Sequence, residues 1–374
     1  MTLTIHAENY RGLAKVHWTI PPGLSVVIGA NGAGKTTLLL LLGLLQQIAA
    51  RDGGPLSAID SNGGSRALKN FGAEQNRVIL GAESDDIRWN LEIVPQSGGM
   101  AEFPAESLTI AGTSIFNRTA GAPTFTWKGE TVRTDNRSLL RQLSEADLRH
   151  QFSGVQLLES LERCRIYHDY NLWRIRQGVE DSNHSWLHRN GINVFPVLRN
   201  WRDKMLSKKR YEFVIQSLRE LFGFFGDLEF ERGGNIISCS IQHRRFPTET
   251  FPVGGVANGW LVALLHLTAV AGAQKGDIIA LDEFENTLHP RAINELLTMI
   301  HEYAEEQGCS VVITSQSAQV LDWFDAHPEQ VFVLDARDQP APRRLTDFRS
   351  EEWLAHFRLG RKFADGDFAA EAEE

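Results

Sequence analysis

Residues 24–50 decide the fold, and they read Leu-Ser-Val-Val-Ile-Gly-Ala-Asn-Gly-Ala-Gly-Lys-Thr-Thr-Leu-Leu-Leu-Leu-Leu-Gly-Leu-Leu-Gln-Gln-Ile-Ala-Ala. The apolar run Leu24–Ile28 predicts a buried strand, and the leucines after Thr37 predict a helix. Between them, Gly29–Thr36 matches the G-x-x-x-x-G-K-T pattern of a phosphate-binding loop. A glycine turn without a ligand is the alternative, but strand, loop and helix in this order are the context that the motif requires.

The chemistry of this loop follows from its backbone. Glycines let successive N–H groups point at phosphate oxygens, and the helix N-terminus adds the positive end of its dipole. Lys35 is predicted to reach the β- and γ-phosphates, and the Thr36 hydroxyl is predicted to hold Mg²⁺. The further candidates for nucleotide contact in the loop are Gly29, Asn31, Gly32, Gly34 and Thr37.

A second apolar strand is predicted at Ile278–Leu281, and it ends in two carboxylates, Asp282 and Glu283. Because Mg²⁺ needs only one or two protein oxygens besides water and phosphate, Asp282 is the candidate metal partner of Thr36. Glu283 is the candidate to orient or deprotonate an attacking water. The alternative is that two acids merely end a strand at the protein surface.

Composition narrows the class of protein. The chain has 374 residues, enough for one elaborated domain or two lobes, and a net charge of −9, so nothing global attracts nucleic acid or an acidic membrane. Its three cysteines are far apart in sequence and predict neither a redox dithiol nor a zinc site. The start of the chain is strand-like and does not resemble a signal peptide. The longest apolar runs fall short of the roughly 20 residues that span a bilayer, so we expect a soluble cytoplasmic protein.

The pattern along the chain changes three times. Residues 52–65 are rich in Gly and Ser and predict a loop, and residues 78–133 alternate as an antiparallel meander would. The pattern turns helical from 139 to 222, without a sustained heptad repeat. Helices and strands then alternate from 259 to 334, which predicts a mainly parallel sheet with flanking helices.

Together these segments resemble the ABC-type ATPases of the RecF/SMC branch, and most closely the short bacterial AAA-family ATPases without a coiled coil, such as the ATPase domain of OLD-like and PtuA-like proteins without their nuclease domain. The resemblance begins at Asn9–Leu13, which is similar to N-[FY]-R-G-L, and includes Asp282–Pro290, which is similar to D-E-P-E-N-G-L-H-P. Two further stretches resemble the family: the segment Ile166–His168 with Asn190–Asn193, and the closing element Trp353–Phe368.

The resemblance implies an α/β fold: a P-loop ABC-type ATPase with a mixed central sheet, an antiparallel β meander and an inserted helical subdomain. It implies lobe I of the ATPase over 1–137, the helical insertion over 138–225, lobe II over 226–360 and an acidic tail over 361–374. It also implies ATP and Mg²⁺ as cofactors. Arg11, in the opening motif, becomes a further candidate for nucleotide contact.

By the same resemblance, two subunits would sandwich two ATP molecules, each completed by the partner's signature loop, as a homodimer or a higher oligomer. The matching positions here are Ala257 and Gly259, with Ala257 where the family has a serine, and Val253–Gly255 is the alternative contact loop. After the strand at 311–313 the family has a histidine that contacts the γ-phosphate, and this chain has Gln316. Both departures predict slow or partner-dependent hydrolysis. His289 is predicted to begin a helix, with a catalytic role as the alternative.

Possible partners follow from one basic segment and from the resemblance. Arg199–Tyr211 carries six basic residues, one acid and two aromatics, which fits a nucleic-acid groove or, alternatively, a solvated helix face whose Trp201 and Met205 pack inward. The resemblance implies a protein effector partner, commonly in phage defence. Two hypotheses remain: an ATPase switch that drives a partner or DNA, and a hydrolysis-poor, ATP-gated scaffold that holds an effector inactive. A DNA-repair ATPase and a transporter subunit are weaker alternatives.

Overall fold

The computed structural model describes residues 2–50, 54–97, 100–119, 124–127, 130–133, 140–142, 154–335 and 341–367. The boundary predicted at 137/138 and the acidic residues beyond 367 lie outside these ranges. Among the described residues, no helix combines the length and the apolar character needed to cross a membrane.

The glycine loop 29–36 and the acidic pair Asp282 and Glu283 both follow strands of the central sheet. Its order is β10-β15-β16-β3-β17-β18, in which the first five strands run parallel and β18 is antiparallel at the edge. The sheet is therefore mixed, as predicted. Its strands are β3 (Gly23–Ile28), β10 (Cys164–Tyr167), β15 (Ile278–Leu281), β16 (Ser310–Ser315), β17 (Val331–Val333) and β18 (Arg343–Arg344).

The central strands are apolar without interruption because both faces of this sheet are covered. On β3, Leu24, Val26 and Ile28 pack into one hydrophobic cluster, whereas Val27 packs into the other. Strand β16 divides its residues in the same way, with Val312 on the face of Val27. The two clusters are the two halves of the core, and the sheet lies between them.

A second, antiparallel sheet has the order β2-β1-β4-β5-β6-β7, which confirms the meander after residue 78 and extends it by β1 and β2. The alternation along β5 buries Ile87, Trp89, Leu91 and Ile93 against the helices below. Its strands are β1 (Thr4–Tyr10), β2 (Leu13–Thr19), β4 (Val78–Ser84), β5 (Ile87–Pro95), β6 (Ala101–Ile110) and β7 (Thr113–Thr119). Strands β8 (Thr124–Trp127) and β9 (Glu130–Arg133) form a separate hairpin.

A third sheet pairs strand β11 (Val179–Glu180) and strand β12 (Phe225–Gly233) with strand β13 (Ile236–His243), and strand β14 (Phe246–Pro252) also pairs with β13. The described helices are α1 (Lys35–Ala49), α2 (Pro55–Ser61), α3 (Ser65–Leu68), α4 (Gly154–Glu162), α5 (Leu172–Arg176), α6 (Val194–Asp203), α7 (Lys208–Leu221), α8 (Asn258–Ala271), α9 (Pro290–Gln307), α10 (Ala318–Trp323), α11 (Glu351–His356) and α12 (Leu359–Ala364).

Two local predictions need correction. The segment 139–222, predicted to be helical, also contains β10, which is a strand of the central sheet. A strand of four residues is too short to show a clear alternation of apolar and polar residues. It also follows closely on the leucine-rich helix α4, so it is easily mistaken for a continuation of the helical pattern. Residues 52–65 were predicted as a loop, yet they contain α2, which begins at Pro55, a residue whose fixed φ suits the first helical turn.

The closing element packs against the helix that follows β16. Two backbone N–H groups at the start of α12 donate to aspartates of this region: Leu359 to Asp325 Oδ1 at 2.8 Å, and Gly360 to Asp322 Oδ1 at 3.0 Å. A Cβ atom on Gly360 would lie 2.0 Å from the carbonyl oxygen of Ala318. Only glycine allows this close approach of the two helices.

We therefore predict that Gly360→Ala lowers the free energy of unfolding by about 1–3 kcal/mol, because the two helices must separate. Urea denaturation monitored by tryptophan fluorescence measures it. Gly223→Ala is the matched control, since a Cβ there meets nothing within 4 Å. Equal stability of the two variants would contradict the prediction.

Candidate nucleotide site

The loop Gly29–Thr36 connects β3 to α1 at the carboxyl end of the central sheet. Gly34, the residue before α1, has φ 102°, a left-handed conformation that favours glycine. The Lys35 ammonium folds across the loop and donates to the carbonyl oxygens of Gly29 at 2.7 Å and Ala30 at 2.9 Å. Burial lowers the pKa of Lys35, and nearby carboxylates, Glu285 first, oppose this shift.

Asp282 follows β15 and faces the phosphate loop. Its Oδ2 accepts a hydrogen bond from the Thr36 hydroxyl at 2.8 Å, and its Oδ1 accepts one from the hydroxyl of Thr314 on β16. The predicted metal-binding pair is thus in direct contact. A hydroxyl and a carboxylate oxygen form a hard donor set, which suits Mg²⁺.

Glu283 is held by its backbone, while its side chain is exposed. Its N–H donates to the Thr314 hydroxyl at 2.9 Å, and its φ of 48° is in the left-handed region that L residues seldom occupy. The next residue, Phe284, donates its N–H to the Thr314 carbonyl at 3.1 Å. Strained backbone of this kind concentrates at functional sites.

Gln316 directly follows β16, the strand beside β15, and lines the same cavity as Glu283. Its backbone N–H donates to Glu285 Oε1 at 2.8 Å, so the residue after β16 is fixed to the turn after β15. One cavity of about 260 Å³ joins these segments. It is lined by Asn31, Gly32, Gly34, Lys35, Thr36, Thr37, Asp282, Glu283 and Gln316.

Four predicted residues do not line this cavity: Arg11, Gly29, Ala257 and Gly259. Ala257 precedes α8, and Gly259 packs against the turn after Glu283, where a Cβ would lie 2.7 Å from the carbonyl oxygen of Thr287. Arg11 donates from Nη2 to the carbonyl oxygen of Asn62 at 3.1 Å. The carbonyl oxygen of Gly29 accepts a hydrogen bond from the Lys35 ammonium.

The family model for the AAA domain, described as a putative AbiEii toxin of a type IV TA system, matches residues 24–98 and 147–322, well over half of the chain. The chain belongs to this AAA family. Its fold is that of the ATPase heads of the RecF/SMC branch.

A solved structure of an SMC head shares this fold. The SMC head bound to the C-terminal winged-helix domain of ScpA matches with a TM-score of 0.53 and 11% identity, over 89% of this chain and 94% of that one. Lower scores come from the SMC head domain of Thermotoga maritima (0.41; 13% identity; 90% and 97% covered) and from the SMC head with extended coiled coil bound to ScpA from Pyrococcus furiosus (0.45; 12%; 90% and 94%). No curated protein matches the sequence significantly.

This AAA-family ATPase has functional candidates that the sequence did not reveal. A second cavity, of about 330 Å³, shares Thr36, Asp282 and Glu283 with the first and extends toward the end of β10 and to α8. Its remaining lining residues are His168, Asp169, Tyr170, Leu172, Val262, His266, Asn286 and Thr287. Only the parallel pairing of β10 with β15 brings the first three of these to the site.

His168 is the most suggestive of these residues. Its Nδ1 lies 2.8 Å from Asp169 Oδ2, and its Nε2 is buried with no hydrogen-bond partner among the described residues. His168 directly follows β10 and lines the second cavity together with Thr36 and Asp282.

Two other predicted features have clear positions. His289 caps α9, since its Nδ1 accepts the N–H of Arg291 at 3.2 Å. In the basic segment, Trp201 is 1% exposed as predicted, but Met205 is 91% exposed, which corrects the prediction that it packs inward. The reason is that α6 ends at Asp203, so the helical spacing from Trp201 to Met205 is broken.

We predict that Thr314→Val lowers the free energy of unfolding by about 1–3 kcal/mol, because it leaves the Asp282 carboxylate and the Glu283 N–H without this buried partner. It should also weaken Mg²⁺-dependent nucleotide binding. Thr314→Ser keeps the hydroxyl and is the control. Denaturation and nucleotide titration measure both effects, and a valine variant indistinguishable from serine would contradict them.

A pH effect on stability is expected from His266, which is 1% exposed within α8. Burial lowers its pKa from 6.5 to about 4, against an opposing hydrogen bond to Phe284. The unfolded chain therefore binds more protons between these values, and stability decreases as the pH falls from about 6.5 to about 4, by at most about 3 kcal/mol. Urea denaturation across this range should show a shallower slope for His266→Gln, and an unchanged slope would contradict the assignment.

Proposed function

We propose that this AAA-family ATPase binds and hydrolyses ATP as a nucleotide-dependent dimeric switch that controls a partner. The observation that carries the proposal is the single cavity in which the phosphate loop meets Asp282, Glu283 and Gln316. A loop for phosphate, a carboxylate for a metal and a second carboxylate for water are the parts that phosphoryl transfer to water requires.

Each residue has a role in this proposal. The loop N–H groups and Lys35 bind the phosphates, and Thr36 with Asp282 holds Mg²⁺. When bound, Mg²⁺ neutralises charge that develops on the phosphates. Glu283 orients the attacking water and accepts its proton, and its strained backbone fixes the direction of the carboxylate. Gln316 donates a hydrogen bond to the γ-phosphate from the neighbouring strand.

Dimerisation is supported by the position of α8. Ala257 and Gly259 lie at its N-terminus and do not line the cavity of their own subunit. In the sandwich that the family resemblance implies, they contact the nucleotide of a second copy, with Arg11 contacting the nucleotide of its own subunit. ATP thereby becomes part of the interface, and hydrolysis releases it.

A second function, an ATP-gated scaffold with little turnover, is favoured by two residues. Ala257 has no hydroxyl to donate across the interface, and Gln316 carries no charge. Each lost charge-assisted hydrogen bond is worth on the order of 1–3 kcal/mol, which corresponds to roughly a ten- to a hundred-fold slower reaction. In this case the bound nucleotide holds an effector inactive, and hydrolysis is incidental.

The partner we propose is a protein effector, in keeping with the toxin–antitoxin description of the family and with a role in phage defence. Nucleic acid is the second candidate partner, at the segment Arg199–Tyr211. There, Lys204, Lys208 and Lys209 are exposed, but Arg199 is engaged with Asp181 at 2.8 Å. Few cations remain at the surface for phosphate contact, so binding should be weak and sensitive to salt.

The decisive experiment measures phosphate release from ATP by wild type and by Glu283→Gln, with and without duplex DNA. We expect slow turnover that the substitution reduces at least a hundred-fold, because the amide cannot accept the proton. ATP affinity, measured in parallel, should stay within about twofold. Turnover unaffected by Glu283→Gln would refute the assigned role, and tight ATP binding without any turnover would establish the scaffold.

The dimer is tested separately by light scattering. ATP should double the mass of Glu283→Gln, and Lys35→Ala should abolish the change because the phosphates lose their cation. Lys69→Ala, a substitution of a lysine that does not line the nucleotide cavity, is the control for loss of charge. A mass increase that persists in Lys35→Ala would contradict the ATP-sandwich dimer.

A further inference from the structure

His266 on α8 is the centre of a chain of two hydrogen bonds that joins Tyr170 to the turn that carries Glu283. His266 Nε2 lies 3.2 Å from the carbonyl oxygen of Phe284, and His266 Nδ1 lies 3.2 Å from the hydroxyl of Tyr170. The imidazole also stacks on the Phe284 ring, with the ring centroids 5.0 Å apart and the planes at 16°. These contacts lie behind Glu283, at the wall of the second cavity.

The direction of both hydrogen bonds can be assigned. Burial keeps the imidazole neutral at physiological pH, with a pKa of about 4, so only one of its nitrogens carries a proton. The Phe284 carbonyl can only accept, and Nε2 is therefore the protonated nitrogen. Nδ1 must then accept from Tyr170, whose pKa burial raises well above its usual value, so that its hydroxyl remains a donor.

This chain ends at the most strained part of the site. Phe284 follows Glu283, whose φ is 48°, and Thr287 in the same turn has a φ of 63°. Such conformations persist only when surrounding contacts enforce them. From the side of β16, Thr314 provides these contacts through its hydroxyl and its carbonyl. His266 provides the contact from the side of α8.

The same helix meets the turn at a second point. Gly259, at the start of α8, packs directly on the carbonyl of Thr287, and His266 lies two turns further along. A shift of α8 along or about its axis therefore moves the turn at both points. The N-terminus of α8 is also the part of the chain that the proposed dimer presents to the nucleotide of the second copy.

We propose that His266 is a positioning residue for Glu283, and that it transmits the position of α8, set by engagement of a second copy of this chain, to the water-activating carboxylate. This inference rests on the proposed function. It assigns a role in the reaction to a buried histidine that does not line the cavity of the phosphate loop, through the Nε2–H donated to Phe284.

Two substitutions separate the hydrogen bond from the volume of the ring. The glutamine amide nitrogen reaches about as far as imidazole Nε2, so His266→Gln keeps the donor to Phe284. Asparagine is one methylene shorter and reaches only the position of Nδ1, so His266→Asn loses it. Thr268→Val, on the same helix, is the matched control, since it removes a buried hydroxyl that bonds only to Leu264 within the helix, at 2.7 Å.

The experiment measures three quantities on the full chain: ATP affinity, phosphate release, and amide hydrogen exchange of the peptide covering 282–288. For His266→Asn we expect ATP affinity within about twofold of wild type, turnover reduced about ten- to a hundred-fold, and faster exchange in this peptide, because a misplacement of the carboxylate of about 1 Å is costly. His266→Gln and Thr268→Val should stay within about threefold of wild type in all three.

Several results would overturn the inference. Equal losses in His266→Asn and His266→Gln would show that only the ring matters, and a parallel loss of affinity and turnover would show a structural role. If wild type binds ATP without turnover, the hydrolytic function fails, and exchange still decides: unchanged exchange in His266→Asn overturns the positioning role. Should His266→Asn not fold, Tyr170→Phe replaces it, with turnover expected to fall several-fold at unchanged affinity.

Discussion

The parallel register of β15, β16 and β3 is the constraint on which the rest of the structure depends. Leu281 is paired with Ile313, and Ile313 with Val26, so β15 ends two residues before β16 and β3, and Asp282 follows it beside Thr314. At that level the hydroxyl of Thr314 binds the carboxylate of Asp282 and the N–H of Glu283 together. A slip of one residue would turn the acids into the core and the apolar side chains into the site. Burial on both faces of the sheet makes such a slip very costly, and the site geometry therefore follows from the packing of the core.

Much of this arrangement could be predicted because the decisive signals are local. The phosphate loop lies between a strand and a helix within one run of 27 residues, and the acids follow a four-residue apolar strand directly. The alternation from 259 to 334 correctly predicted the parallel strands of the second half of the central sheet and the helices between them, but not the antiparallel edge strand β18. The family followed from these motifs. In each case the chemistry depends on residues adjacent in sequence, which a reading along the chain can detect.

The remainder depends on distant pairing or on where a helix stops. His168 and Tyr170 reach the site only because β10, a strand of four residues, pairs with β15 more than a hundred residues later. His266 lies in a helix that is apolar on every side, so no periodicity distinguishes it. Met205 was placed wrongly because the end of α6 at Asp203 is not marked by glycine or proline. These failures share one cause. The hydrophobic period of a segment can be detected along the sequence, but the segments that pack against it in space cannot.

The attachment of the closing element has a mechanical consequence. Asp322 and Asp325 hold the start of α12, and α10, to which Asp322 belongs, begins two residues after Gln316. A pull on the closing element would therefore act through these two hydrogen bonds on α10 and on the short segment that joins α10 to Gln316.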